Sequence, residues 1–258
     1  MKNEYGMNAN GNILITTPTL ALDPNPFNYQ SSLLKVINQI QAREMGLAYL
    51  PVYRQLWWAA NNLAWDTALS NHFEYILRID DDIHQIPDDA VGKLLDAGKD
   101  VIGAAYPSRR WPYMTNAMNR TKDISLIEIA ANNDRCLQYV TEKDPNAEGD
   151  IVPCELVGFG MTLIKTEKFK LLPRPIFLGN EDVCPDDTYF AQLCLDHGIK
   201  QYVHYGVRVS HAHVDYMNQM YLYNAGVFER INRGEKDVPE PCYEAMPSNM
   251  ATSLEEVK

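Results

Sequence analysis

The chain reads as an α/β protein with a mostly parallel central sheet flanked by helices, and three observations predict it. Short β-branched runs alternate with stretches of helical periodicity. The apolar run Phe73 to Ile79 ends directly on three aspartates, Asp80 to Asp82, as a buried strand does when it brings polar residues to the carboxyl edge of an open sheet. Hydrophobic residues make up 46% of the 258 positions, enough for a sizeable core.

In chain order, Asn12 to Thr16 predicts a first strand with Thr17-Pro18-Thr19 as a polar loop at its tip. Ser31 or Ser32 caps a helix, SSLLKVINQIQAREMG, that stops at Gly46. Tyr53 to Ser70 has apolar residues at helical spacing and runs up to the aspartate strand, so the order is strand, helix, helix, strand. Neighbours on a helix point about 100° apart, which puts at least one of Trp57 and Trp58 in the core.

Beyond the aspartates, Pro87-Asp88-Asp89 suits a first helical turn, and the helix runs to Gly98. Asp100 to Ala105 is a third strand, followed by a loop, Tyr106 to Trp111, with two cations beside aromatics. Residues 112–150 are polar and weakly patterned; they read as a mobile or inserted region with strands at Ile124 to Ala130 and Arg135 to Val140. Glu155 to Lys165 is a strand containing Gly158 and Gly160, and Thr166 caps a short helix. After a proline-rich loop, Asp187 to His197 is a helix closed by Gly198. Gln201 to His204 and Val207 to Ser210 form a late strand or strand pair that ends at His211-Ala212-His213. Tyr216 to Arg233 reads as helix and the end as a loose tail. One domain over 1–214 is expected, with a helix and flexible tail over 215–258.

The net charge of −11 argues against a broad footprint for nucleic acid or an anionic membrane. The first residues lack the apolar segment of a secretory signal, and no run of about 18 apolar residues occurs. A soluble cytoplasmic protein, in a bacterial or phage-infected cell, is expected. The cysteines at 136, 154, 184, 194 and 242 contain no C-x-x-C pair, so reduced thiols are the simplest account.

Asp80 and Asp82 can converge on one hard cation while Asp81 points elsewhere or holds the turn. Thr17-Pro18-Thr19, the triplet, Asp186-Asp187 and His211 or His213 all fall where strand or helix ends could share one edge. Taken singly, an Asp pair at a helix start and a histidine at a strand end are ordinary features. Together they make an O,O,N site suited to Mn²⁺ or Mg²⁺ that also holds diphosphate oxygens. Gly158-Phe159-Gly160 is no dinucleotide fingerprint, since no third glycine opens a helix; it permits close approach of a ligand or neighbouring backbone.

The sequence resembles the GT-A glycosyltransferases, specifically the compact family-two-like members common in phage and bacteria. The resemblance rests on Ile13 to Thr19, ILRIDDDIHQIPDDAVGKLL with its D-x-D pattern, DVIGAAYP, VGFGMTLIKTEKFKLL, DDTYFAQLCLDHGIK and VRVSHAH, which span roughly residues 12–214. It implies a single GT-A (Rossmann-like) domain that binds a nucleoside-diphosphate sugar, a UDP-sugar by preference, and Mn²⁺ or Mg²⁺. By position, Thr17, Pro18 and Thr19 would line the nucleoside pocket with Asn62, Arg54 and Asp81. Asp80 would contact ribose and metal-bound water, Asp82 would ligate the metal directly, and His211 would be the second ligand with His213 as competitor. Asp187 would be the general base, with Asp186 beside it; Glu181 or Asp182 is the alternative pair. Many relatives carry Ala-Arg-Asn where this chain has Ala60-Asn61-Asn62, so an arginine contact is lost or comes from Arg54.

Tyr106, Arg109, Arg110, Trp111 and Gly158 are candidates for the acceptor side. The acceptor is either a hydroxymethylated pyrimidine in phage DNA, flipped into the pocket, or a saccharide. A non-catalytic sugar-nucleotide or glycan-binding protein on a degenerate scaffold is the alternative. A nucleotidyltransferase ranks last, because no glycine-rich basic loop follows the first strand.

Overall fold

The structure is a computed structural model that describes residues 11–19, 26–53, 55–108, 114–132, 136–179 and 184–211. The first strand, β1 (Asn12–Thr19), leads to helix α1 (Pro26–Ala42), strand β2 (Gly46–Tyr53) and helix α2 (Trp57–Ser70). Strand β3 (Tyr75–Ile79) carries the aspartates at its end, followed by the short β4 (Ile83–His84), helix α3 (Ala90–Asp96) and strand β5 (Val101–Ala105). Next come β6 (Ala117–Arg120), α4 (Leu126–Asn132), β7 (Leu137–Tyr139), β8 (Ile151–Cys154) and β9 (Leu156–Val157). Strand β10 (Met161–Lys165), helix α5 (Asp186–Asp196), β11 (Gln201–Arg208) and β12 (Ser210–His211) complete the described chain.

The main sheet has the order β2-β1-β3-β10-β5-β11-β8. Strands β2, β1, β3, β5 and β11 run one way, while β10 and β8 run against them. The α/β class with a mostly parallel sheet is therefore correct. Strand alternation sends Leu14 to one face and its neighbours Ile13 and Ile15 to the other. On the first face Trp65 and Ala68 of α2 meet Phe190 and Leu193 of α5. There Phe190 stacks on Phe169 at 5.3 Å and on Phe177 at 5.1 Å, with Trp65 edge-on to Phe169 at 5.5 Å. Such pairs add roughly 0.5–1.5 kcal/mol each beyond their burial. On the second face Val36 and Ile40 of α1 pack with Val91 and Leu94 of α3.

Several sequence expectations are corrected. Thr17-Pro18-Thr19 is strand, not loop: β1 pairs with β2 as far as Thr19, whereas its ladder with β3 ends at Thr16. Pro18 thus sits where only one neighbour remains, which a residue without an N–H tolerates. The segment between the first two helices is the edge strand β2, hidden in the sequence by Pro51, which an edge position also permits. The first helix accordingly ends at Ala42, not Gly46, and the second begins at Trp57, not Tyr53.

Ile124 to Ala130 is not a strand. Its Leu126 and Ile129, three apart, form the buried face of α4, and the Leu126 N–H is capped by Gln192 Oε1 at 2.8 Å. Strands β6, β7 and β9 form a three-stranded sheet, β7-β6-β9, while β8 between them in sequence joins the main sheet beside β11, so the weakly patterned region is folded onto α5 through Leu126, Leu156 and Ala191. Glu155 to Lys165 is two strands broken at Gly158 to Gly160. Thr166 makes no cap; its hydroxyl donates to Phe73 O at 2.8 Å. Trp57 is half exposed, and Trp58 packs on the aromatic face. The expected helix at 216–233 and the tail lie outside the described residues. Among the described residues no helix is long and apolar enough to cross a membrane, and Cys136, Cys154, Cys184 and Cys194 are free and buried.

Candidate active site

The carboxyl ends of β1, β3, β5 and β11 share one edge of the sheet with the start of antiparallel β10. The aspartate triplet turns sharply there, with the Asp80 N–H on Gly160 O at 2.8 Å and the Ile83 N–H on Asp80 O at 3.1 Å. The turn gives its three carboxylates three different partners. Asp80 Oδ1 is 3.0 Å from Arg78 Nη1, because residues two apart on a strand share a face. Asp81 Oδ2 accepts a 2.5 Å hydrogen bond from Thr19 Oγ1 across the end of β1. Asp82 Oδ2 lies 3.4 Å from His211 Nε2.

His211 arrives by the β12–β4 ribbon, which pairs it with Ile83. Its Nδ1 is 3.1 Å from Pro107 O. A carbonyl only accepts, so Nδ1 carries the proton and Nε2 is turned to Asp82, the arrangement that orients histidines for metal ligation. The ring stands edge-on to Tyr106 at 5.2 Å. Two donors on adjacent positions of one cation, each about 2.1 Å from it, lie about 3 Å apart, so the separation of Asp82 and His211 suits a shared ion. Carboxylate oxygen with imidazole nitrogen also suits Mn²⁺ or Mg²⁺ in chemistry. Among the described residues no third His, Cys, Asp or Glu joins them as a ready-made set. Asp80, the other expected ligand, pairs with Arg78 through Oδ1.

Helix α5 begins at this edge. Asp186 Oδ2 accepts a 2.5 Å hydrogen bond from Asn61 Nδ2, and Asn61 Oδ1 accepts from Arg78 Nε at 3.0 Å. Asp187 Oδ1 accepts from Thr188 Oγ1 at 3.3 Å. Burial, reinforced by the Asp186 charge, pushes the Asp187 carboxyl up to about 6. Burial also raises Asp80, against the pull of Arg78 and His211. Beneath lies Tyr106, buried, its hydroxyl accepting from the Gly160 N–H at 2.9 Å. A Cβ on Gly158 would stand 2.4 Å from the Tyr106 hydroxyl, and one on Gly160 2.6 Å from its Cζ. Both glycines make room for this ring.

The edge thus brings together Thr19, Asp80, Asp81, Asp82, Tyr106, Asp186, Asp187 and His211. Three residues expected to contact ligand have partners within the fold. Asn62 faces away: its amide donates to Trp58 O at 2.9 Å and Phe177 O at 2.6 Å and accepts from Phe177 N at 3.2 Å. Thr17 is fully buried with its hydroxyl bonded to Tyr29, so it supports the rim and offers no side-chain contact. Gly158 is filled by Tyr106, not by an acceptor. Arg54, Arg109, Arg110, Trp111, Glu181, Asp182 and His213 lie outside the described residues. Sequence reasoning missed Arg78 and Asn61. Both left a signal: a lone cation inside an apolar strand, two residues before an acid, and an asparagine in register with Ala64, Trp65 and Ala68 on the buried stripe of α2.

No protein-family model matches the chain, and no curated protein matches it in sequence. Among solved structures it is similar to A197 from STIV, at 17% identity over 78% of this chain and 85% of that one, with a TM-score of 0.48. It is similar to the catalytic domain of Drosophila beta1,4galactosyltransferase 7, solved with xylobiose, at 13% identity over 91% and 77% of the two chains and a TM-score of 0.44. It is also similar to GalNAc-T7 solved with UDP, GalNAc and Mn²⁺, at 10% identity over 98% of this chain and 49% of that one, with a TM-score of 0.48.

Proposed function

We propose that the chain is a metal-dependent glycosyltransferase of the GT-A type, moving a sugar from a nucleoside diphosphate, UDP by preference, to an acceptor hydroxyl. The observation that carries the reading is the placement of a carboxylate–imidazole pair, Asp82 and His211, and a buried carboxyl of raised pKa, Asp187, at the carboxyl edge of one sheet, where α/β proteins bind ligands. Asp82 and His211 would hold Mn²⁺ or Mg²⁺, which supplies charge compensation to the leaving diphosphate. The chain's own residues do the rest. Asp187 takes the acceptor proton, its raised pKa suiting general-base work near neutral pH. The acceptor oxygen forms a bond to the anomeric carbon as the bond from that carbon to the diphosphate oxygen breaks, and the electron pair leaves with the diphosphate. Asp80, held by Arg78, and the linked Thr19 and Asp81 form the rim on the nucleoside side.

The acceptor is a saccharide or a hydroxymethylated pyrimidine in phage DNA. The net charge of −11 favours a saccharide, since DNA binding relies on neutralising phosphates.

Release of UDP from a panel of UDP-sugars, with saccharides and hydroxymethylated DNA as acceptors, is the test. Activity should vanish in EDTA, return with Mn²⁺ and be lost in Asp82→Ala with the fold intact by circular dichroism. A rate unchanged by chelator sinks the proposal. Donor binding with neither transfer nor hydrolysis points to the binding protein instead.

A further inference from the structure

The two carboxylates at the head of α5 have different surroundings. Asp186 is tied through Asn61 to Arg78, whereas Asp187 has only Thr188 as its side-chain hydrogen-bond partner among the bonds described above. Arg78 is 2% exposed. It also donates to Phe159 O at 2.5 Å, pairs with Asp80 at 3.0 Å, and lies 5.0 Å from the centre of the Phe159 ring. A guanidinium can serve these partners at fixed angles, and an ammonium cannot. Desolvating a cation inside a strand is costly, and an apolar side chain there often serves stability as well. The arrangement is better explained by what it holds in place.

We propose that Arg78, acting through Asn61, is the positioning residue that divides the α5 carboxylates into an anchored one, Asp186, and a proton-accepting one, Asp187. Its use in catalysis rests on the glycosyl-transfer reading; the division itself is a property of the folded chain. Among the described residues, the charged and titratable groups that act on Asp187 include Asp186 and Cys184 on its own segment, Arg78 on β3 and Tyr106 beyond β5, with Asp80 behind them against Arg78 and Asp186. Arg78 is the one among them that favours the ionised carboxylate. Without the Asn61 link, Asp186 loses the hydrogen bond that holds it apart from its neighbour.

The test is a ¹³C-carboxyl NMR titration of aspartate-labelled, metal-free full chain, with Asp187→Asn assigning the Asp187 resonance. In Arg78→Met the Asp187 midpoint should rise by about one pH unit, since an opposite charge at close range is worth roughly 1–3 units. In Asn61→Leu, where Asp186 loses its tie to Arg78, the Asp187 titration should shift away from the wild-type curve. If Asp187 titrates as in the wild type in folded Asn61→Leu, the proposal is overturned whatever Arg78→Met shows. Should Arg78→Met fail to fold, Asn61→Leu decides alone, because it keeps the cation and removes only the link; a wild-type curve there overturns the proposal. UDP release in Mn²⁺ gives the second readout: Asn61→Leu should lower kcat and shift its acid limb while leaving KM unchanged. A wild type that releases no UDP defeats the glycosyl-transfer reading, while the titration still decides the positioning.

Discussion

Asp187→Asn tests the assignment of the base and its physical cause together. Burial and the Asp186 charge raise the Asp187 carboxyl from 3.8 to about 6. With that midpoint the ionised fraction falls from about 0.9 at pH 7 to about 0.1 at pH 5, so a rate that needs the carboxylate drops about tenfold over that interval. Asp187→Asn should lower kcat by roughly 10²–10⁴ and remove this acid limb. Stability should move the other way. The folded state holds the Asp187 proton more tightly than the unfolded chain, so its contribution is present below about pH 4 and is lost as pH rises through 6. At 1.36 kcal/mol per unit the ceiling is about 3 kcal/mol, part of which belongs to the interaction with Asp186. The neutral amide escapes this loss, so Asp187→Asn should melt several degrees above the wild type at pH 8 and lose that advantage near pH 4. UDP release from pH 5 to 8 in saturating Mn²⁺ and thermal unfolding from pH 4 to 8 are the measurements. A flat rate profile, together with a variant no more stable than wild type at pH 8, would refute the assignment and the burial argument at once.

Three other variants separate packing from ligand binding. Asn62→Ala breaks the clamp on Phe177, which should cost about 1–3 kcal/mol in denaturant unfolding and leave the calorimetric affinity for Mn²⁺-UDP unchanged; a weaker affinity would restore Asn62 to the nucleotide pocket. Gly160→Ala puts a methyl group 2.6 Å from Tyr106 Cζ and 2.9 Å from Ile83 Cδ1, so it should destabilise by about 1–3 kcal/mol or more, and an unfolding midpoint equal to wild type would contradict the packing. His211→Ala should weaken Mn²⁺ binding at least about tenfold, read by manganese electron paramagnetic resonance; an unchanged affinity would pass the role to a residue outside the described ones.

The parallel frame was legible because a buried strand, a glycine-closed helix and a small-residue strand each carry a strong local period. Strand β2 was not, since Pro51 argues against a strand until its edge position is known. Helix α4 was misread because Leu126 and Ile129 lie in a short apolar run that fits either period, and the cap from Gln192 is a long-range contact. At the site, the ordering of Asp82, Asp187 and His211 was readable, but their partners were less so. Asn61 and Asn62 are adjacent, and the phase of α2 that distinguishes them comes from Ala64, Trp65 and Ala68. Strand alternation places Arg78 and Asp80 on one face, but the burial that makes the pair consequential comes from Phe159 and Asn61, both distant in sequence.

The distribution of charge at this edge sets the strongest demand on any diphosphate ligand. Asp80, Asp81, Asp82, Asp186 and Asp187 crowd one rim, and the chain as a whole carries −11. Arg78 cannot offset an incoming anion, because it is 2% exposed and already committed to Asp80, Asn61 and Phe159. Two like charges 5 Å apart at an effective dielectric of 20 repel by about 3 kcal/mol, so even one such contact costs more than a hundredfold in affinity. On the proposed reading Asp82 and His211 would hold a divalent cation that supplies the missing positive charge, and UDP affinity should fall by at least about 10² in chelator. An affinity that survives chelation would mean that the phosphates are held elsewhere, with Arg109 and Arg110 the first candidates, and the roles given to Asp82 and His211 would fall with it.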